Sequence, residues 1–237
     1  MKFFFLCLGS MWLSVGAALA EAAEDDFIHA NIVSVFYHEL GHAIIDVMRL
    51  PIFGQEEDAA DVLSILLIDE YFEEDSAQEI AKQAAFGFLA EAEDVGKPAF
   101  WDVHGPDEQR YYNLVCLFYG ANPDERLELV QELNLPPERG ESCEEEFQLA
   151  YDSWGPVLDE MENLKGYLEF DGSGEGLIQS VIKEELAYLK GKIGFPSPVR
   201  VFVEACGEAN AFYDPNETSI ILCTEFEDHL RRQFKNM

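Results

Sequence analysis

Positive charge is what this sequence has least of. Only 15 Lys and Arg stand against 47 Asp and Glu, a formal net charge of −32 over 237 residues. Such a chain keeps itself in solution and repels nucleic acid and anionic membranes. No basic stripe is present that could follow a phosphate backbone, so nucleic acid is excluded as a partner. Most of the acids are expected to be solvated surface.

Long apolar runs are missing as well, with one exception. The chain opens MKFFFLCLGSMWLSVGAALAEAAEDD, a Lys, an apolar run and the small residues Ala18-Leu19-Ala20. That is the layout of a secretory signal peptide, too short and too quickly followed by acids to span a bilayer. Residues 1–20 are therefore expected to be a leader and residues 21–237 an exported chain. Cys7 lies inside the run, not behind a small-residue triplet, which speaks against a lipid anchor. No later segment is long enough to cross a membrane, so no stable membrane anchor is expected. Cysteine is scarce too. Beyond residue 20 there are Cys116, Cys143, Cys206 and Cys223, an even number that suggests two disulfides in an exported protein. Three pairings are possible, and Cys116–Cys143 with Cys206–Cys223 is favoured because each bridges neighbouring elements across a short gap. No C-x-x-C spacing supports a four-cysteine zinc site.

What the chain does have is helical periodicity. Between about residues 30 and 49, Ile32, Val35, Phe36, Leu40, Ala43, Ile44 and Val47 recur at helix spacing, and Pro51 and Gly54 should end that helix. EEDAADVLSILLIDEYF reads as a second, largely buried helix. Ser76-x-x-Glu79 is a capping-box signature for a third, running to about Glu93. Pro106 suits the first turn of a helix through Tyr119, and further helices are expected near 124–133, 141–153 and 176–190. DGSGEG, from Asp171, matches no calcium loop and reads as a linker. The end of the chain is β-rich: VRVFVEAC and TSIILCTEF flank the turn-rich GEANAFYDPNE and predict a hairpin stapled by Cys206–Cys223.

The stretch HELGH, His38 to His42, carries the chemistry. Residues four apart share a helix face, so both imidazoles can aim at one ion while Glu39 reaches a water beside it. The plain alternative is two histidines with ordinary hydrogen bonds. A catalytic zinc site needs a third protein ligand and an open position. Glu57 is the preferred third ligand and Glu56 the second choice. Asp61, four residues after Glu57, is placed to hold the far nitrogen of a histidine. Acids at a helix start also suit its dipole, the plain reading of all three. Gly41, costly inside a helix, suggests that something passes close to the backbone there.

HELGH followed by Glu57-Asp58-Ala59-Ala60-Asp61 resembles the HExxH plus ExxxD pattern of gluzincin metallopeptidases. The chain also resembles a family of exported bacterial metallopeptidases over most of residues 21–237. His104-Gly105-Pro106-Asp107-Glu108-Gln109-Arg110 is similar to the H-S-P-x-x-x-R signature of neprilysin-type enzymes, with Gly105 in place of Ser. Asn210-Ala211-Phe212-Tyr213 resembles their N-A-Y/F substrate strand, which in those enzymes precedes HExxH and here follows it. The resemblance implies an α+β, mainly helical zincin-like domain over 21–237, possibly reordered by circular permutation. Residues 21–165 would form its helical metal-site part and 166–237 a helix plus the hairpin.

The resemblance further implies one Zn²⁺ on His38, His42 and Glu57, with Glu39 as general base and His104 as the donor to the developing oxyanion. Asn210 and Ala211 would hold an extended peptide, and Arg110 would grip a substrate carbonyl or pair with Asp107 or another acid. Tyr213 would be a further oxyanion donor or a packed turn residue. The expected function is a secreted zinc peptidase of the bacterial periplasm or medium, with a peptide or protein as partner. Two alternatives stay open: a non-catalytic peptide- or metal-binding module, and a zinc hydrolase of a non-peptide amide.

Overall fold

The computed structural model describes residues 11–172 and 174–237; residues 1–10 of the expected leader lie outside them. Helix α1 (Met11–Val47) is the axis on which the other elements pack. From Phe27 onward it is apolar nearly all round, and Phe27, Ile28, Ile32, Val33, Phe36, Tyr37, Leu40, Ala43 and Ile44 are each 0% exposed. A helix apolar on all sides belongs at the centre of a core. Helices α2 (Glu56–Tyr71), α3 (Glu74–Val95), α8 (Leu177–Leu189) and α9 (Glu225–Asn236) all lie against it. Between α3 and α8 run α4 (Asp107–Ala121), α5 (Pro123–Glu132), α6 (Pro137–Gly140) and α7 (Cys143–Met161). Among the described residues no helix is long and apolar enough to cross a membrane.

Helix α1 stops earlier than its prolines and glycines suggest. Arg49 takes a left-handed φ of 54°, its N–H donates to Asp46 O, and Leu50 N–H donates to Ile45 O. These two bonds are the Schellman closure that satisfies the last carbonyls of a helix. Helix α2 then returns so closely over α1 that a Cβ on Gly41 would lie 3.0 Å from Ala60 Cα. This backbone approach is what the glycine inside HELGH is for.

The sheet is four-stranded in the order β1 (Leu168–Phe170), β2 (Val199–Glu204), β4 (Ser219–Cys223), β3 (Ala211–Asp214). With α1–α9 it makes an α+β fold, mainly helical, as the sequence suggests. One expectation is corrected. The runs VRVFVEAC and TSIILCTEF do not form a hairpin: β2 and β4 are parallel neighbours. The residues between them supply β3, which makes the hairpin with β4 and leaves its other edge open. Parallel pairing brings Glu204 opposite Cys223, so Cys206, just beyond β2, reaches Cys223. Both expected disulfides are present, Cys116–Cys143 between α4 and α7 and Cys206–Cys223 across the sheet end.

Two smaller corrections concern helix ends, and two elements are additional. Helix α3 begins at Glu74, without a side-chain cap, so Ser76 lies inside its first turn rather than capping it. Helix α7 runs on to Met161, well past 153. Strand β1 and helix α9 were not expected. In α9 the apolar residues are few, Phe226, Leu230 and Phe234, and its start merges with the β-rich run before it.

Candidate metal centre

HELGH sits near the C-terminal end of α1, facing the first turns of α2. His38 Nε2 and His42 Nε2 are 3.2 Å apart, and Glu57 Oε2 lies 3.2 Å from the first and 3.1 Å from the second. Three ligands of a tetrahedral ion bound at about 2.0–2.1 Å would stand roughly 3.3–3.4 Å from one another, so the triangle is close to that of one coordination face.

The outer nitrogens say the same. His42 Nδ1 is hydrogen-bonded to Glu56 Oε1 at 2.8 Å. His38 Nδ1 is 2.7 Å from Asp61 Oδ1, close, though poorly aligned for a hydrogen bond. An acid at the outer nitrogen favours the tautomer with its proton there, and a neutral ring of that tautomer turns its Nε2 lone pair inward. Two such lone pairs and a carboxylate oxygen can converge on one cation, which would take the place of the protons that the imidazoles otherwise donate to Glu57. That is an arrangement for a cation, and the donor set of two imidazoles and one carboxylate suits a first-row divalent ion.

A third imidazole approaches from the loop between α3 and α4. His104 Nε2 is 2.9 Å from Glu57 Oε2, with Nδ1 3.4 Å from Asp102 Oδ1. His38, Glu57 and His104 each also bring a ligand atom within 4.8 Å of the others. Two ligand triangles thus share the His38–Glu57 edge. The His42 triangle is the one with both outer nitrogens held by acids from α2. His104 rides on a half-exposed loop.

Burial shapes the electrostatics. It raises the Glu57 carboxyl, but hydrogen bonds from His104, His38 and His42 outweigh it and hold the group far below the usual range. Burial lowers the His38 imidazole, while Asp61 and Glu57 more than reverse this and lift it to about 9. Asp61 is raised by burial and brought well down by Arg110 and His38. Glu39 is 6% exposed, and burial pushes its carboxyl up against the pull of His38 and His42. A carboxyl raised toward neutrality is what a proton-accepting group beside an ion needs.

Arg110 points its fork at Asp61, with Nε donating at 2.8 Å and an Nη at 2.9 Å, and it stacks over Phe88. Asp107 is only a distant partner at 3.5 Å. Of the two roles open from sequence, the ion pair describes this geometry, with Asp61 as the acid. Tyr213 donates its hydroxyl to Asp46 Oδ2 at 2.7 Å, pinning β3 to α1.

These groups line one cleft of about 1570 Å³, which contains His38, Glu39, His42, Glu57, Asp61, His104 and Arg110 and has the open edge of β3 on one wall. Asn210 O accepts from Cys223 N–H. By the alternation of an antiparallel ladder, Ala211 and Tyr213 then turn their backbone groups to the open edge. The Ala211 N–H is covered by Asn210 Oδ1 at 2.9 Å. Sequence reasoning missed Glu56 as the holder of His42 and Asp46 as the anchor of Tyr213. The first could have been read from its place one residue before Glu57. The second has no local signal.

A family model described as "Putative metallopeptidase" matches residues 13–158 and 173–237, and the chain belongs to that family. No curated protein and no solved structure matches it.

Proposed function

From that membership and the convergent triangle, we propose that the chain is an exported zinc-dependent peptidase of gluzincin type. The observation that carries this is the meeting of His38 Nε2, His42 Nε2 and Glu57 Oε2 within 3.2 Å, both outer nitrogens facing acids. A bound zinc would polarise a carbonyl and bring the pKa of a water toward about 7. Glu39, buried and raised, takes the proton of the attacking water and later delivers it to the leaving amine. His104, on its loop, donates an N–H to the carbonyl oxygen as charge grows there. The open edge of β3 holds the peptide as an added strand, with the Asn210 amide swinging off Ala211 to meet it. Arg110 acts through Asp61 on His38 and so is a positioning residue. The substrate strand follows HELGH in the chain, which we read as a permuted order of a zincin-like domain. Two disulfides support export.

Glu39→Gln is the direct test. The variant should keep its metal and lose about 10²- to 10⁴-fold in cleavage of unstructured peptides. Full activity in that variant contradicts the reading.

A further inference from the structure

All three imidazoles around Glu57 are built alike. His38 has Asp61 at its outer nitrogen and His42 has Glu56. His104 has Asp102, whose Oδ1 accepts the His104 backbone N–H at 3.1 Å and lies 3.4 Å from Nδ1. An acid there favours the tautomer with its proton on Nδ1, and the neutral ring then turns its Nε2 lone pair inward. That is the ring of a ligand, in which a cation takes the place of the proton that Nε2 otherwise gives to Glu57. The inner nitrogen is already close: His104 Nε2 is 2.9 Å from Glu57 Oε2, and the ligand atoms of His38, Glu57 and His104 lie within 4.8 Å of one another. Ligands of one tetrahedral ion stand roughly 3.3–3.4 Å apart, so a loop shift of no more than about 1.5 Å completes the approach to His38.

The segment that carries His104, residues 96–106, is lightly held. Gly96 leaves α3 with a left-handed φ of 70°. The backbone bonds of the segment run only to its own residues and to the two flanking helices. Phe100, Trp101 and Val103 stand out into water, 76%, 88% and 62% exposed, so its apolar side chains do not tie it down. Among the described residues, its one polar side-chain contact with another element is His104 to Glu57.

We propose that His104 is a displaceable fourth protein ligand of this centre, bound in the peptide-free protein and given up when substrate arrives. This rests on the peptidase reading and adds its regulation. Structural zinc sites are closed by four protein ligands, whereas catalytic ones keep a position for water or substrate. A ligand on a lightly held loop lets one centre alternate between the two. Without peptide, His38, His42, Glu57 and His104 together hold the ion, and no position is left for an activated water. When a peptide enters, the dative bond from His104 Nε2 is exchanged for one from an incoming oxygen. The released Nε2 takes a proton from solvent and becomes the donor to the carbonyl oxygen.

The test uses the full chain loaded with zinc, wild type and His104→Ala, without peptide. X-ray absorption at the zinc edge counts imidazole ligands, and three are expected in the wild type against two in the variant. The wild-type count needs no variant and stands even if the substitution disturbs the loop. Acetohydroxamate, a small chelating probe, must displace His104 in the wild type but not in the variant. Its Kd should therefore fall about tenfold or more in His104→Ala, while zinc is lost more readily to a competing chelator. A donor-only His104 gives the opposite result: two imidazoles in the wild type, and a variant that binds acetohydroxamate no more tightly. Either observation overturns the proposal. Three imidazoles in a protein that cuts no peptide keep the fourth ligand and remove the peptidase reading; two in a protein that cuts peptides do the reverse.

Discussion

Two arginines in this acidic protein have nearly the same surroundings and opposite meanings. Arg126, on α5, is 2% exposed. It places Nε and an Nη on Glu74 at 2.8 Å each, reaches Asp69 at 2.6 Å and gives its other Nη to Phe118 O at 2.7 Å. Its plane lies over the Phe118 ring, 3.7 Å from the centroid. Glu74 in turn accepts from Gln78 and Asn122. The network closes: its charges are paired and its donors have acceptors.

Arg110, on α4, begins in the same way, with a forked contact to Asp61 and an aromatic ring against its face. Asp61 then meets His38, and His38 meets His42 and Glu57, where two inner imidazole nitrogens and a carboxylate oxygen converge on one point. A structural network ends in partners of its own, whereas this one ends in three ligand atoms at the spacing of one coordination face. The convergence of ligand atoms, and not the presence of charge, distinguishes a site from a staple in a chain with 47 acids.

The contrast can be broken from the structural side first. Arg126→Met leaves Glu74 and Asp69 unpaired beside the core, which should cost roughly 3–5 kcal/mol. For a chain of this size that lowers Tm by about 6–20 °C. Metal content at low temperature should stay at the wild-type level, read by thermal melts and elemental analysis on one preparation. Arg110→Met should do the reverse. It frees Asp61 and loosens the His38 ring, so metal affinity should fall about 10- to 100-fold while Tm of the metal-free protein moves less than in Arg126→Met. Competition against a zinc chelator measures it, and unchanged affinity would mean that Asp61 holds His38 unaided.

The smallest effect is in acid. Hydrogen bonds from Arg126 hold the Glu74 carboxyl down to about 2 from an ordinary 4.5. A depressed carboxyl contributes stability that is fully present above about pH 4.5 and lost as pH falls toward 2. Glu74→Gln should therefore lower stability near neutrality and show a shallower loss across that window in denaturant titrations. A parallel loss in both proteins would assign acid sensitivity elsewhere.

Much of the site can be read before any coordinates, because it is helical. His38 and His42 are set by one helix face, Glu57 and Asp61 by another, and i to i+4 spacing fixes which side chains can meet. Gly41 even announces the close passage of α2, since only a missing Cβ admits the Ala60 backbone. Sheet pairing is less legible. β2 and β4 each read as strands, but alternation along a strand does not name its neighbour, and the parallel order inverts the expected hairpin. Helix α9 escapes notice because its twelve residues carry few apolar ones. The partners of Arg110 and Tyr213 depend on how helices dock, which no local pattern records.

Whether His38, His42 and Glu57 hold a metal is decided by zinc titration of the purified chain beside Glu57→Ala, by calorimetry after stripping with chelator. One zinc per wild-type chain is expected. Glu57→Ala should lose more affinity than the 10- to 100-fold typical of removing an orienting partner, with its fold intact by circular dichroism. A wild-type chain that takes up no metal, or that binds it equally well without Glu57, would contradict the account.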